Sequence, residues 1–569
     1  MRRLKRFLSV VTLLILLAVT VAYLTPLDVY VPEIERMLGA NLHDPVKIRH
    51  LKIGVIPVPH LVLEDVRIGE HAGIALQSVR VVLDIRSLFE AQRVINHVVL
   101  KAGSVTQEQL EKILVLLQSG NVAALPFRVE VVQFNDIRLT APKYTLGPME
   151  GKLEFKPDSS LERAWFAIDE QKITATVRPQ PSDAYAVEVQ ANTWSPPNYP
   201  SIVLDKLHVN GILSKTQFNA KKFSAEAYGA RLDGGALLEW KPEWKLAVRL
   251  DAMDGRVERL LPLLGNRVRM TGSLHAKGRL STHGAEMQAL PGNLRFDASV
   301  EIKKATLPVP PSFQRVLALD TVNARLSGML AEYTLHSLEV KLYGGAMSGS
   351  ATMRSAGTVL DANVALTNMA IQPLVEAFNN EVKLTGTLNG KAKFTAKLNE
   401  FDSFPRNMKL DGEFSVRDGV LGKVDLAQAA SNPLKEGSKG GTTRFDQLSS
   451  LISVDTSGYH FKKLKVSSGA MNAEGRLDIS PQQQLDGLLD TELKGTATLI
   501  SMPLAISGTL SDPAVRPTAS ALAGAAAGTA LLGPGLGTAL GVKAGNLFNK
   551  LFGKKSEKTE EKKEAIPKK

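Results

Sequence analysis

LAISGTLSDP, residues 504–513, opens with an apolar residue, a free position, an apolar residue, a small polar residue and a glycine. The same phrase runs through the chain as LHVNGIL (207–213), VRMTGSL (268–274), ARLSGML (324–330), VKLTGTL (382–388) and MKLDGEF (408–414). Apolar residues two apart lie on one side of a pleated strand, so each copy reads as a strand with one apolar face. Glycine is disfavoured inside a strand, so Gly211, Gly272, Gly328, Gly386, Gly412 and Gly508 are expected to mark a bulge, a sharp bend or the close approach of another backbone. A longer phrase also repeats: FSAEAYGARLDGGA (223–236) aligns with LEVKLYGGAMSGSA (338–351), Tyr228 over Tyr343 and Gly229 over Gly344. LKVSSGAMNAEG (464–475) is a looser third copy. Repetition of this kind indicates stacked strand units rather than one unique core.

Between the phrases the period is again two. In SVRVVLDIRSLF, Val79, Val81, Leu83 and Ile85 share one face, with Arg80, Asp84 and Arg86 on the other. In HLVLEDVRIGE, Leu61 and Leu63 have one parity and Val66 and Ile68 the other, which predicts a bulge or corner at Glu64-Asp65 because one extra residue flips every later side chain. Pro57 and Pro59 are expected to keep the GVIPVPHL segment from forming a full ladder. A few short helices are expected between strand runs: one from a cap at Ser104 to a stop at Gly120, and single amphipathic helices at 257–265, 372–380 and 445–453. The expected fold is therefore mainly β: an elongated, curled antiparallel sheet forming an apolar groove, with a few short helices and an N-terminal transmembrane helix. The groove wall candidates are Ile48, Ile53, Leu61, Leu63, Val66, Ile68, Val79, Val81, Leu83 and Ile85.

The N-terminus carries the strongest local signal. Residues 7–24 hold no charge, with Phe7, Leu13, Leu14, Ile15, Leu16, Leu17 and Leu24 among them, and follow Arg2, Arg3, Lys5 and Arg6. Eighteen residues at about 1.5 Å each come close to a hydrocarbon core, and the basic flank stays cytoplasmic. A cleaved signal peptide is the competing reading; the apolar run is long for one and Thr20-Val21-Ala22 is a weak cleavage site. The net charge of +12 is concentrated at the two ends, leaving +4 over the 543 residues between, so no basic stripe suggests nucleic acid. The absence of cysteine mildly favours an oxidising compartment. His43, His50, His60 and His71 have spacings that suit no compact metal site, and no nucleophile elbow or phosphate loop occurs, so neither catalysis nor a cofactor is expected.

The order of segments resembles the AsmA-like proteins of Gram-negative envelopes. It is carried by the anchor, KIRHLKIGVIPVPHLVLEDVRIGE, VRVVLDIRSLF, VKLTGTLNGKAKF, SVRDGVLGKVDLAQA with Asp418, Gly419, Gly422 and Asp425, the segment from TTRFDQLSSL to AEGRLDI, and MPLAISGTLSDPAVRP. The chain departs from that family in being short between GKAKF and VRDGV. The resemblance implies an inner-membrane protein, single-pass, with its bulk in the periplasm, that moves phospholipid towards the outer membrane and supports its integrity, with membrane lipids as partners and no catalytic residues. The alternative is a structural or assembly factor for outer-membrane proteins or surface polymers, with no lipid cargo. The expected divisions are a basic flank 1–6, an anchor 7–24, a periplasmic β region 26–310, a C-terminal β domain 311–517, an Ala/Gly-rich segment 518–553 that engages a membrane or an envelope partner, and a charged tail 554–569.

Overall fold

The computed structural model describes residues 27–56, 58–69, 73–87, 93–110, 112, 127–141, 144–195, 203–260, 269–286, 289–309, 315–329, 332–354, 358–397, 408–431, 440–494, 500–532 and 542–544. The anchor, the basic flank and the charged tail lie outside them, and among the described residues no helix is long and apolar enough to cross a membrane. The chain divides into two compact units, residues 1–250 with 283–290 and residues 251–282 with 291–569. Strands Arg295–Val309 and Arg315–Met329, on either side of 310/311, pair along nearly their whole length within the second unit.

In the first unit, Val46–Lys47 and His50–Gly54 both pair with His60–Ile68, and from there each strand pairs with the next in sequence as far as Ala230–Glu239. The result is a curled, open sheet. Its pairings are antiparallel except one: Arg93–Thr106 runs parallel to Phe127–Ala141. Parallel neighbours need a crossover of about a dozen residues or more, which is the place of the helix expected from Ser104. Ser104 itself lies inside the strand; the helical turn begins at Gln107, where Thr106 Oγ1 accepts the Gln109 amide at 3.4 Å. The slip at Glu64-Asp65 is present. Asp65 sits at φ +50°, so Leu63 and Val66 both face the core, and Ala102 (φ +47°) and Asp136 (φ +55°) make the same flip on later strands.

Helix Val31–Leu42, which the sequence reading passed over, lies on one end of this sheet. Leu27, Ile34, Leu38 and Leu42 recur at helical spacing and pack with Val31 onto Leu51, Leu63, Val66, Ile74 and Leu76. Glu35 of this helix and Asp28 of the turn Leu27–Tyr30 before it take up edge donors: Leu51 N donates to Asp28 Oδ1 and Ile48 N to Glu35 Oε1, both at 2.8 Å.

The second unit is an antiparallel sheet from Thr271–Gly284 to Pro513–Pro517, paired in sequence order. Helix Ile371–Phe378 forms as expected, and Val257–Leu260 is a helical turn. Residues 445–453 are not a helix but part of strand Thr442–Asp455. The buried face changes parity within this strand, between Phe445 and Leu448 and opposite Asp418 at φ +52°, with the register unbroken, so the two buried residues fall three apart and imitate a helical stripe. Short helices Ile371–Phe378 and Leu426–Ser431 contribute Ile371, Leu426, Ala429 and Ala430 to the core of this unit, and helix Ala519–Leu532 contributes Ala521 and Ala525.

The long repeat is a hairpin. Tyr228-Gly229 and Tyr343-Gly344 all have positive φ, the two-residue turn whose twist suits antiparallel strands. Each tyrosine hydroxyl accepts an amide 25 residues upstream, from Val203 at 3.0 Å and from Ala318 at 3.4 Å. Each hairpin carries a two-for-one bulge on its first strand, at Lys221-Lys222 and His336-Ser337, and Lys462-Lys463 repeats it in the third copy.

Candidate functional site

Cross-strand register aligns the apolar faces of the first unit into rows. One runs Phe134, Gly151, Phe166, Ala175, Val189, Val209 and continues to Phe223 and Gly234. At about 4.8 Å per strand these eight strands span roughly 34 Å, close to the thickness of a bilayer's hydrocarbon core. The alternate positions are polar: Thr176, Glu188, Gln190, Lys206 and Glu226 lie on the opposite face, where Lys206 and Glu226 pair at 3.2 Å.

Burial separates this region from the rest. Among the described residues between 145 and 256, the buried apolar side chains are all alanines, such as Ala164, Ala191 and Ala225; every Val, Leu, Ile, Phe, Trp, Tyr and Met there is half-buried or exposed. In the second unit the comparable face buries Ile302, Val340, Leu388 and Val416 beneath short helices. The apolar rows of residues 144–239 are thus an open trough floor with no described covering layer.

Glycines shape that floor. Gly151 lies between Phe134 and Phe166, whose rings are 6.0 Å apart, and a Cβ there would come within 2.4 Å of Phe134 Cζ. Gly328 has the same seat between Phe296 and Tyr333, rings 6.0 Å apart. Gly211 is covered by Phe218 and Gly412 faces the carbonyl of Lys391, both too close for a side chain. Gly272 (φ +144°) marks a bulge, Gly386 (φ +126°) precedes a strand and Gly508 (φ +87°) ends one.

The sequence-derived wall residues divide. Ile48, Leu63 and Val66 are sealed in the core beneath helix Val31–Leu42, and Leu61, Ile68, Val79 and Val81 pack against it half-buried. Ile53 and Leu83 are half-buried, and Ile85 stands 50% exposed in a turn. The residues that do form an open floor lie further along the chain. Alternation alone could have found them in ITATV and AYAVEV; what it does not reveal is which strands a helix covers.

At the start of strand Phe127–Ala141 the apolar face turns polar. Arg128 and Glu130 share the face of Val132 and Phe134 by strand alternation, and Arg128 Nη2 donates to Glu130 Oε1 at 2.8 Å. Elsewhere, a Ser457–His460–Asp478 chain has His460 Nε2 2.9 Å from Ser457 Oγ and Nδ1 2.7 Å from Asp478. The Ser457 hydroxyl, however, donates to Asp455 Oδ1 at 2.5 Å, and its amide donates to the same oxygen at 2.7 Å. These contacts clasp a hairpin turn and hold the Asp455 carboxyl below its ordinary range. Comparison with protein-family models, with curated proteins and with solved structures gave no match.

Proposed function

We propose that this chain binds and transfers membrane lipid, sheltering acyl chains on the open apolar floor of its first unit. In this reading residues 7–24 anchor it in the inner membrane of a Gram-negative cell, its bulk lies in the periplasm, and it supports phospholipid transport to the outer membrane. The observation that carries the reading is that, among the described residues between 145 and 256, no large apolar side chain is buried, on strands such as Ala184–Trp194 whose opposite face is polar. Large exposed apolar patches mark surfaces that are occupied in use. The order of segments shared with AsmA-like proteins supports the same conclusion.

The energetics fit. Moving an acyl chain out of water gains about 0.8 kcal/mol per CH₂, so a sixteen-carbon chain crossing an aqueous gap alone faces a barrier of roughly 12 kcal/mol. A floor of valine, phenylalanine and alanine removes much of it while the open side leaves a headgroup in water. The test is photo-cross-linking with a benzophenone amino acid placed at Val189 or at Gln190, adjacent residues on opposite faces. Lipid adducts identified by mass spectrometry should form at Val189 and not at Gln190. Equal yields at both sites, or none at Val189, would reject the trough.

A further inference from the structure

Arg128 is the odd residue of the trough. It sits on the apolar face, in line with Val132 and Phe134, where strand Phe127–Ala141 begins. Its side chain is only 19% exposed, and its Nε is one of two buried side-chain polar atoms among the described residues with no hydrogen-bond partner. A guanidinium offers five N–H donors. One meets Glu130, and the buried Nε–H meets nothing, which is costly unless an acceptor arrives. Glu130 is 44% exposed and keeps lone pairs free after accepting from Arg128. An apolar floor that ends in one cation with an unmet donor and one anion open to solvent has the polarity of a zwitterionic lipid laid along it.

We propose that Arg128 and Glu130 form the headgroup site of the trough: Arg128 donates to the phosphodiester oxygens, and Glu130 accepts from the ammonium of phosphoethanolamine. The assignment rests on the lipid reading above and adds to it a headgroup class and a direction, with acyl chains running from Arg128 past Val132 towards the row at Phe134. Glu130 excludes a bare anion as the better ligand, since it repels a phosphate that brings no cation of its own.

The test uses the full chain in detergent micelles doped with phosphatidylethanolamine, phosphatidylglycerol or diacylglycerol, with retained lipid measured by mass spectrometry after washing. Wild type should retain phosphatidylethanolamine best. Arg128→Gln should lower retention of both phospholipids about tenfold, the effect of one charge-assisted hydrogen bond, and leave diacylglycerol unchanged. Glu130→Gln should abolish the preference for phosphatidylethanolamine over phosphatidylglycerol. Tryptophan fluorescence of each variant checks that the first unit remains folded, and Arg128→Lys, which keeps the charge without the fork, should recover part of the retention. Equal phospholipid-to-diacylglycerol ratios in wild type and Arg128→Gln overturn the headgroup site while leaving the trough standing. Retention of no lipid of any class by wild type overturns both.

Discussion

An open floor and a sealed core answer differently to a buried charge, and Val189→Glu against Leu63→Glu separates them. Leu63 is 7% exposed beneath helix Val31–Leu42, among Val31, Leu51 and Leu76. A carboxylate there loses about 2–3 kcal/mol of apolar burial and is left unpaired in the core, for a total of about 4–5 kcal/mol or more. Val189 is half-buried on the trough floor, so Val189→Glu loses about 1 kcal/mol of burial and its carboxylate reaches water across the open side. All four tryptophans, Trp165, Trp194, Trp240 and Trp244, lie in the first unit, so intrinsic fluorescence follows the melting of that unit alone. For a unit of this size 1 kcal/mol shifts Tm by about 2–4 °C. The expected shifts are about 2–4 °C for Val189→Glu and more than about 8 °C for Leu63→Glu. A loss at Val189 as large as that at Leu63 would mean that the floor is covered, and the reasoning from burial would fail.

Three further outcomes follow from particular contacts. Gly344→Ala, at φ +75° in the Tyr343-Gly344 turn, should cost the second unit about 1 kcal/mol, whereas Gly469→Ala, with nothing near its Cβ and no positive φ, should be neutral in the same urea titration. The Leu51 amide bond, then the His50 contact, hold the Asp28 carboxyl below its ordinary value of 3.8. A depressed carboxyl contributes stability that is full above its unfolded pKa and lost as pH falls through the folded one. The protection of the Leu51 amide, the slowing of its exchange relative to an unstructured amide at the same pH, should therefore fall below about pH 4, and in Asp28→Asn it should be lowered already at neutral pH. Deleting residues 519–569 removes Ala521, Ala525 and Val542 from the core around Leu504 and Val515, so strands Ile500–Gly508 and Pro513–Pro517 should become protease-sensitive.

Local patterns in the sequence carried the strands, the corner at Asp65 and the Tyr-Gly hairpins, because each depends on residues two or three apart. The Glu64-Asp65 parity change is visible in HLVLEDVRI since a bulge acts on its own strand. The parity change opposite Asp418 misled in the other direction: it sets Phe445 and Leu448 three apart, a spacing that a helix shares. Helix Val31–Leu42 was legible in the recurrence of Ile34, Leu38 and Leu42, a short stripe close behind the longer apolar run of residues 7–24. Its cover is why Ile48, Leu63 and Val66 are closed. Coverage is a long-range property, and no window of sequence contains it.

The contrast between the two units narrows what the open floor is for. Both sheets are built from the same phrase, with aromatic rings flanking a glycine in each, at Gly151 and at Gly328. In the second unit, helices Ile371–Phe378, Leu426–Ser431 and Ala519–Leu532 seal one end of the apolar face, and Val416, Leu504 and Val515 are fully buried. In the first, one helix seals the strands up to Ile137, and the strands beyond are left with alanine alone buried. A folding sequence gains about 1.5–3 kcal/mol for each large apolar side chain it hides. Leaving Phe166, Val189, Val209 and Phe223 only half-buried forgoes part of that gain repeatedly. Under the proposed function these side chains gain instead from contact with an apolar ligand, and the pair Arg128 and Glu130 would suit one whose apolar length finishes in a charged head.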